Sequence, residues 1–325
     1  MPDSPSVGLH CLLLDGKGGA RSLTPDGLAA WSPDQGVLWV HLDYTDPDDR
    51  HWLETGSGLD PLIVEALQAE ETRPRATTVG DGMLIALRGV NVTPGAEPDD
   101  MVAIRLWVDQ ERIISTRHRR AMSVADVAAQ LTSGNGPTSA AQCLVELVDQ
   151  LVGRMSDTVD QFEDRVAELE EQFLEASSAA MRFDLAILRR QAIMLRRYLA
   201  PQREALARLN TAMAGWLDDS GLLHLREVSD RLVRHIEDLD AVRERAAVVQ
   251  EELQNRTSEQ VNTRMYVLSV VAAIFLPLGF LTGLLGINVG GIPGADNTLA
   301  FWVFIAMLVL VVILQVMIFR WRKWL

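Results

Sequence analysis

Residues Met265–Asn288 read MYVLSVVAAIFLPLGFLTGLLGIN, and Leu299–Phe319 read LAFWVFIAMLVLVVILQVMIF; neither stretch holds a charged residue. Their 24 and 21 residues, wound as helices at about 1.5 Å per residue, extend about 36 and 32 Å, enough to cross the hydrocarbon of a bilayer. Two such runs side by side leave no polar face to meet water, which argues against a buried pair in a soluble protein. The sequence therefore predicts two transmembrane helices, 265–288 and 299–319, joined by the connection 289–298. Pro277 and Gly279 lie inside the first span, where neighbouring helices can satisfy the backbone groups they free.

The flanks orient the pair. Arg256 and Arg264 precede the first span, and Arg320, Arg322 and Lys323 follow the second. The connection 289–298 has no Lys or Arg and a single acid, Asp296. Positive charge keeps segment ends on the cytoplasmic side, so both termini, including the basic tail 320–325, are expected inside and the connection outside. Trp321 and Trp324 suit the inner interface and Trp302 the outer one.

The rest of the chain is different in kind. The 325 residues carry 44 acids against 30 Lys and Arg, a net charge of −14, yet the mean hydropathy is +0.09. Residues 265–325 hold one acid and three bases, a net +2, so the preceding residues carry −16. So acidic a body excludes a nucleic-acid binder, which needs cations to neutralise phosphates, and a protein drawn to anionic lipid. Cys11 and Cys143 are the only cysteines and form no CxxC pair, which suits a reducing compartment. The apolar run Leu9–Leu14 is too short for a signal-peptide core.

Up to residue 137 strands and helices alternate, an α/β domain. The strand candidates are Leu9–Asp15, Val37–Asp43, Met83–Val90, Val102–Val108 and Arg112–Thr116. The helix candidates are Thr24–Trp31, Pro47–Thr55, Pro61–Ala69 and Met122–Ser133. Asp46 and Asp60, each followed by Pro, read as N-caps. Residues 138–264 read as a helical stalk. Leu144, Leu147, Leu151, Met155, Val159, Phe162, Val166, Leu169 and Phe173 form one apolar stripe, and a second helix runs over Ser178–Leu217. A third helix carries Leu225, Val228, Leu232, Ile236, Leu239, Val242, Ala246, Val249 and Leu253. No Pro or Gly interrupts it between Leu222 and Tyr266, so it should continue into the first span. The fold class expected is thus an α+β membrane protein: cytoplasmic α/β domain, long helical stalk, two C-terminal transmembrane helices.

Two spans cannot enclose a polar pathway. If the chain conducts ions, several subunits must form a ring, with one span of each facing the centre. The second span is apolar throughout, with Gln315 its only amide, and suits lipid. The first contains Ser269, Gly279, Thr282, Gly283 and Gly286 and ends on Asn288; small residues permit close packing and expose carbonyl oxygens. It lacks Asp, Glu, His and Cys, so a divalent cation would pass hydrated rather than stripped onto hard carboxylates or zinc ligands. Asn288 reads equally as a helix C-cap before the turn Val-Gly-Gly-Ile-Pro-Gly.

Other classes of function find little support. The six histidines are scattered, without an HExxH pattern, and no Walker A sequence is present, so neither a metalloprotease nor an ATP-driven pump is expected. His41 and Asp43 share a face of one strand, with His51 nearby, a weak metal or catalytic constellation against the ordinary reading of satisfied side chains. Glu168, Glu170, Glu171 and Glu175 form either a solvated helix face or an acidic lining that draws cations. A membrane-anchored coiled-coil scaffold fits the long helices as well, and predicts that Gly286, Asn288 and the following loop tolerate substitution.

Gly286-Ile287-Asn288, at the end of the penultimate span, resembles the Gly-Met-Asn signature of the CorA superfamily of divalent-cation transporters. The continuation FLPLGFLTGLLGINVGGIPG (Phe275–Gly294) is similar to the zinc-transporting branch rather than to the magnesium channels, whose loop typically carries Met-Pro-Glu. Trp39–Leu42 (WVHL), Thr72–Arg75 (TRPR), Arg196–Arg203 (RRYLAPQR) and the terminal Lys323-Trp324-Leu325 extend the resemblance over almost the whole chain. It implies a homopentamer in the bacterial inner membrane, with no catalytic cofactor and Zn2+ as cargo. Its cytoplasmic domains and stalks would form a funnel, the loop 289–298 would be periplasmic, and transport would be driven by a gradient. The resemblance places Gly286, Ile287 and Asn288 at the outer pore mouth and turns Met265, Leu268, Leu276 and Gly279 toward the pore. Ile287 replaces the usual Met but stays apolar. Asp296 would attract cations outside, and a magnesium or broad divalent-cation channel is the neighbouring expectation.

Overall fold

The computed structural model describes residues 10–91, 93, 95–97, 100–175, 179–286, 294 and 297–322. The chain divides into two units, Met1–Gln250 and Glu251–Leu325.

The first unit is built on a seven-stranded sheet of order β2-β1-β3-β7-β6-β5-β4. Its strands are β1 (His10–Leu14), β2 (Ala20–Ser22), β3 (Leu38–Asp43), β4 (Arg75–Val79), β5 (Gly82–Val90), β6 (Met101–Val108) and β7 (Arg112–Arg117). Every neighbouring pair is antiparallel except β3 and β7, which run parallel with Val40 opposite Ile114. β4 to β7 form a meander of sequential hairpins, and its last strand returns beside β3. The β4–β5 turn passes through Gly80 at φ +56°, a left-handed conformation that glycine adopts without a Cβ clash.

A short helix, α1 (Pro25–Ala29), lies between β2 and β3, and two more, α2 (Pro47–Thr55) and α3 (Pro61–Gln68), link β3 to the meander. The predicted caps are in place. The Asp46 side chain accepts from the amides of Asp48 and Asp49, and Asp60 accepts from Leu62. Leu53, Ile63, Val64 and Leu67 from α2 and α3 pack with Leu38, Val40, Leu42 and Ile114 of the sheet in one buried cluster. Five strands lie close to their expected bounds. The other two, β2 and β4, carry no sequence signal: each is an edge strand, and only Ala76 of RATTV in β4 is buried.

After α4 (Met122–Thr132) the long helices begin: α5 (Ala140–Glu175), α6 (Ala179–Ala212) and α7 (Asp219–Leu285). α5 passes so close to β5 that a Cβ on Gly89 would stand 2.5 Å from Leu151 Cδ2. α6 is tied to the same strand by Gln202, whose Oε1 accepts from the Arg88 amide at 2.7 Å. The nine apolar residues of the α5 stripe and the nine of α7 are all buried. α7 runs without a break to Leu285, as the absence of Pro and Gly up to Tyr266 predicts. The second unit holds the end of α7, from Glu251, and α8 (Ala300–Trp321).

Candidate functional site

Two described helices, α7 and α8, are long and apolar enough to cross a membrane. α7 carries the first apolar run as the end of one continuous helix that stops at Leu285, and α8 covers the second from Ala300 to Trp321. Pro277 lies inside α7, has no N–H, and so leaves the carbonyl four residues earlier, Ala273, without its helical donor. Gln315 of α8 answers that gap, donating from Nε2 to the Ala273 carbonyl at 3.2 Å. The only amide of the second span thus ties the two helices together. The carbonyl partner could be found by counting back from Pro277; the donor could not, because sequence does not state which side of α8 meets α7.

The same contact sets the rotation of α7. Residues advance by about 100° per step. On that wheel the partly shielded residues Val270, Ala273, Ile274, Leu278 and Leu281 centre on the side that receives Gln315. Met265, Leu268, Leu276, Gly279 and Gly286 fall within an arc of about 80° on the opposite side. Met265, Leu268 and Leu276 are 61%, 70% and 71% exposed, and a Cβ built on Gly279 meets nothing within 4 Å. The four residues expected to turn toward a pore therefore share with Gly286 the side of α7 that faces away from α8. Thr282 bonds back into its own helix, its hydroxyl lying 3.0 Å from the Leu278 carbonyl and 3.1 Å from that of Gly279. At the helix end the Gly286 amide donates to Thr282 (2.9 Å) and Gly283 (3.2 Å). Ile287, Asn288 and Asp296 lie outside the described residues.

In the first unit the acidic run is partly neutralised. Glu170 forms a two-pronged ion pair with Arg245, at 2.9 Å (Nε to Oε1) and 2.5 Å (Nη2 to Oε2), which holds its carboxyl below the usual range. Glu168 pairs with Arg165 at 2.9 Å, whereas Glu171 is exposed. The histidine constellation does not assemble. His41 is buried with Nδ1 2.8 Å from the Ser115 hydroxyl, Asp43 accepts from Thr45, and His51 is exposed. Among the described residues no three His, Cys, Asp or Glu side chains gather as a metal would require.

The face of α7 that carries Met265, Leu268, Leu276, Gly279 and Gly286 is uncharged throughout. Residues 34–322 match the family described as CorA-like Mg2+ transporter protein. The chain belongs to this CorA-like family. Among its relatives, the zinc transport protein ZntB of Yersinia enterocolitica is 41% identical over 98% of this chain and 97% of that protein. The divalent cation transporter CmaX of Pseudomonas aeruginosa is 38% identical over 98% of this chain and 96% of its own length. The solved structure of full-length CmaX superposes with a TM-score of 0.87 at 36% identity, covering 99% of this chain and 100% of that one. The CorA-like architecture of sheet domain, long helices and two apolar C-terminal helices is therefore shared over its whole length.

Proposed function

We propose that this CorA-like protein carries zinc across the bacterial inner membrane through the centre of a homopentamer, with both termini in the cytoplasm. The observation that carries the reading is the near-full-length likeness to a zinc transport protein at 41% identity. The geometry supports it at the level of the helix. α7 keeps one face free of α8, and five copies turned inward would line a pore with Met265, Leu268, Leu276, Gly279 and Gly286. Gly286, Ile287 and Asn288 would form the outer mouth, where amide and carbonyl oxygens meet the ion's water, and Asp296 would raise the local cation concentration there. With no Walker A sequence, the ion gradient drives transport. Zinc is cargo here, and the protein's residues position it without covalent chemistry.

The family description and the likeness to CmaX favour a second reading, a broad divalent-cation or magnesium channel. Metal competition in proteoliposomes separates the two. Zinc carriage predicts zinc-dye fluorescence that cobalt or nickel dampens and millimolar magnesium leaves intact. Suppression of the signal by equimolar magnesium would instead assign the broad channel.

A further inference from the structure

A cleft of about 960 Å³ opens on the first unit, a volume in the range of small-molecule sites. Two sequence stretches that the membrane function leaves unused meet at its walls: Thr72–Arg75 and Arg196–Arg203 contribute Thr72, Arg73, Arg197 and Tyr198. The floor is cationic. Arg105, only 1% exposed, donates from Nη2 to the Glu70 carbonyl at 2.9 Å and interacts with the Tyr44 side chain, while its buried Nε and Nη1 meet no acceptor in hydrogen-bonding geometry. Its guanidinium lies 5.0 Å from the centre of the Tyr44 ring. Beside it, half-buried Arg88 donates to the carbonyls of Thr72 (2.9 Å) and Met101 (3.4 Å), and lies 4.9 Å from the Tyr198 ring. Burial, helped by the neighbouring Arg88 charge, lowers the basicity of Arg105, an effect Tyr44 opposes.

Among the described residues neither guanidinium has a carboxylate partner. Backbone carbonyls and aromatic rings hold two adjacent positive charges, an arrangement that is costly without a counter-charge. The nearby acids do not supply one. Asp100 is engaged by Arg119, with both oxygens at 2.7 Å, and Glu97 accepts from Gln191 at 3.2 Å. Glu70 and Glu71 are exposed at the rim, where water screens them, and exposed Arg73 and Arg197 stand at the same rim. Residues 1–264 carry a net −16, so a cleft lined by five arginines and four acids departs from its surroundings.

We propose that this cleft is a cytoplasmic binding site for a phosphate-bearing anion, seated between the Arg88–Arg105 floor and the Arg73–Arg197 rim. Two uncompensated cations call for a dianion. A phosphate monoester carries about −1.5 to −2 at neutral pH, and guanidinium groups match its oxygens, whereas one carboxylate supplies a single charge. The volume takes inorganic phosphate or a nucleotide equally.

Isothermal titration of the full-length protein in detergent tests the site, with ATP, inorganic phosphate and citrate in divalent-free buffer at constant ionic strength. The expected result is saturable binding of ATP, phosphate or both, weakened about tenfold or more in the Arg73→Gln/Arg197→Gln double variant. Both side chains are exposed, so that variant should melt like the parent. Equal affinity for ATP and phosphate would assign the free ion, and tighter ATP binding a nucleotide. No saturable binding of either, binding of citrate alone, or an unchanged affinity in the double variant would overturn the proposal and leave Arg88 and Arg105 a structural role.

Discussion

At the scale of single residues, the pairing of Pro277 with Gln315 shows how a sequence can break a helix rule in one span and repair it from the next. A carbonyl without a donor is expensive in hydrocarbon, and the Gln315 amide is the donor the structure supplies. Gln315→Leu should therefore destabilise the membrane unit by about 0.6–1.7 kcal/mol, the range of hydrogen bonds between membrane helices. Adding Pro277→Ala restores a backbone N–H to Ala273 and should recover most of that loss. Thermal unfolding of the single and double variants in detergent checks both, and simple additivity would contradict the coupling. His41 gives a second test. Burial, with the Arg117 and His10 charges, pulls its pKa from 6.5 down to about 3. The folded protein keeps it neutral while the unfolded chain takes up a proton below about 6.5. Its contribution is thus full above that value and lost as pH falls toward about 3. Denaturant melts between pH 7 and pH 4 should show stability falling with acid, and less steeply in His41→Gln.

At the scale of elements, the long helices were legible because they are amphipathic over many turns. Every residue assigned to the α5 and α7 stripes is buried. Leu232, fully buried in α7, should cost about 2–5 kcal/mol when cut to Ala, with a lower unfolding midpoint. Strands β2 and β4 escaped because an edge strand takes its order from backbone pairing, and β4 pairs with β5 through residues that are mostly exposed. The parallel β3–β7 contact was equally silent, since it joins strands separated by two helices and a meander. The acidic run on α5 divided in a way composition could not reveal: Glu170 faces Arg245 of α7, and Glu171 faces solvent. If that face draws cations, Glu171→Gln should slow zinc flux at low salt and have little effect at high salt. Flux measured across a salt series decides this, and an equal effect at both ends would leave the residue a solvating role.

At the scale of the whole molecule, the charge division carries the account: −16 before residue 265 and +2 after it. The two apolar runs were readable because hydrocarbon tolerates so few residue types, and both fall in helices long enough to cross a membrane. The Gly286-Ile287-Asn288 corner is an expectation carried by resemblance, and Ile287 and Asn288 lie outside the described residues. Which face of α7 stays free was not readable, because helix rotation depends on the Gln315–Ala273 contact between spans. On that face rests the claim that five α7 helices surround a cation path closed at the outside by Asn288. Zinc uptake into dye-loaded proteoliposomes, run side by side for the parent protein and Asn288→Ala with oligomer mass measured on both, tests it most directly. The account predicts zinc-dependent fluorescence from the parent and none from Asn288→Ala, with both remaining pentamers. Undiminished flux through pentameric Asn288→Ala, or no zinc signal from the parent beside a working ionophore control, would contradict it.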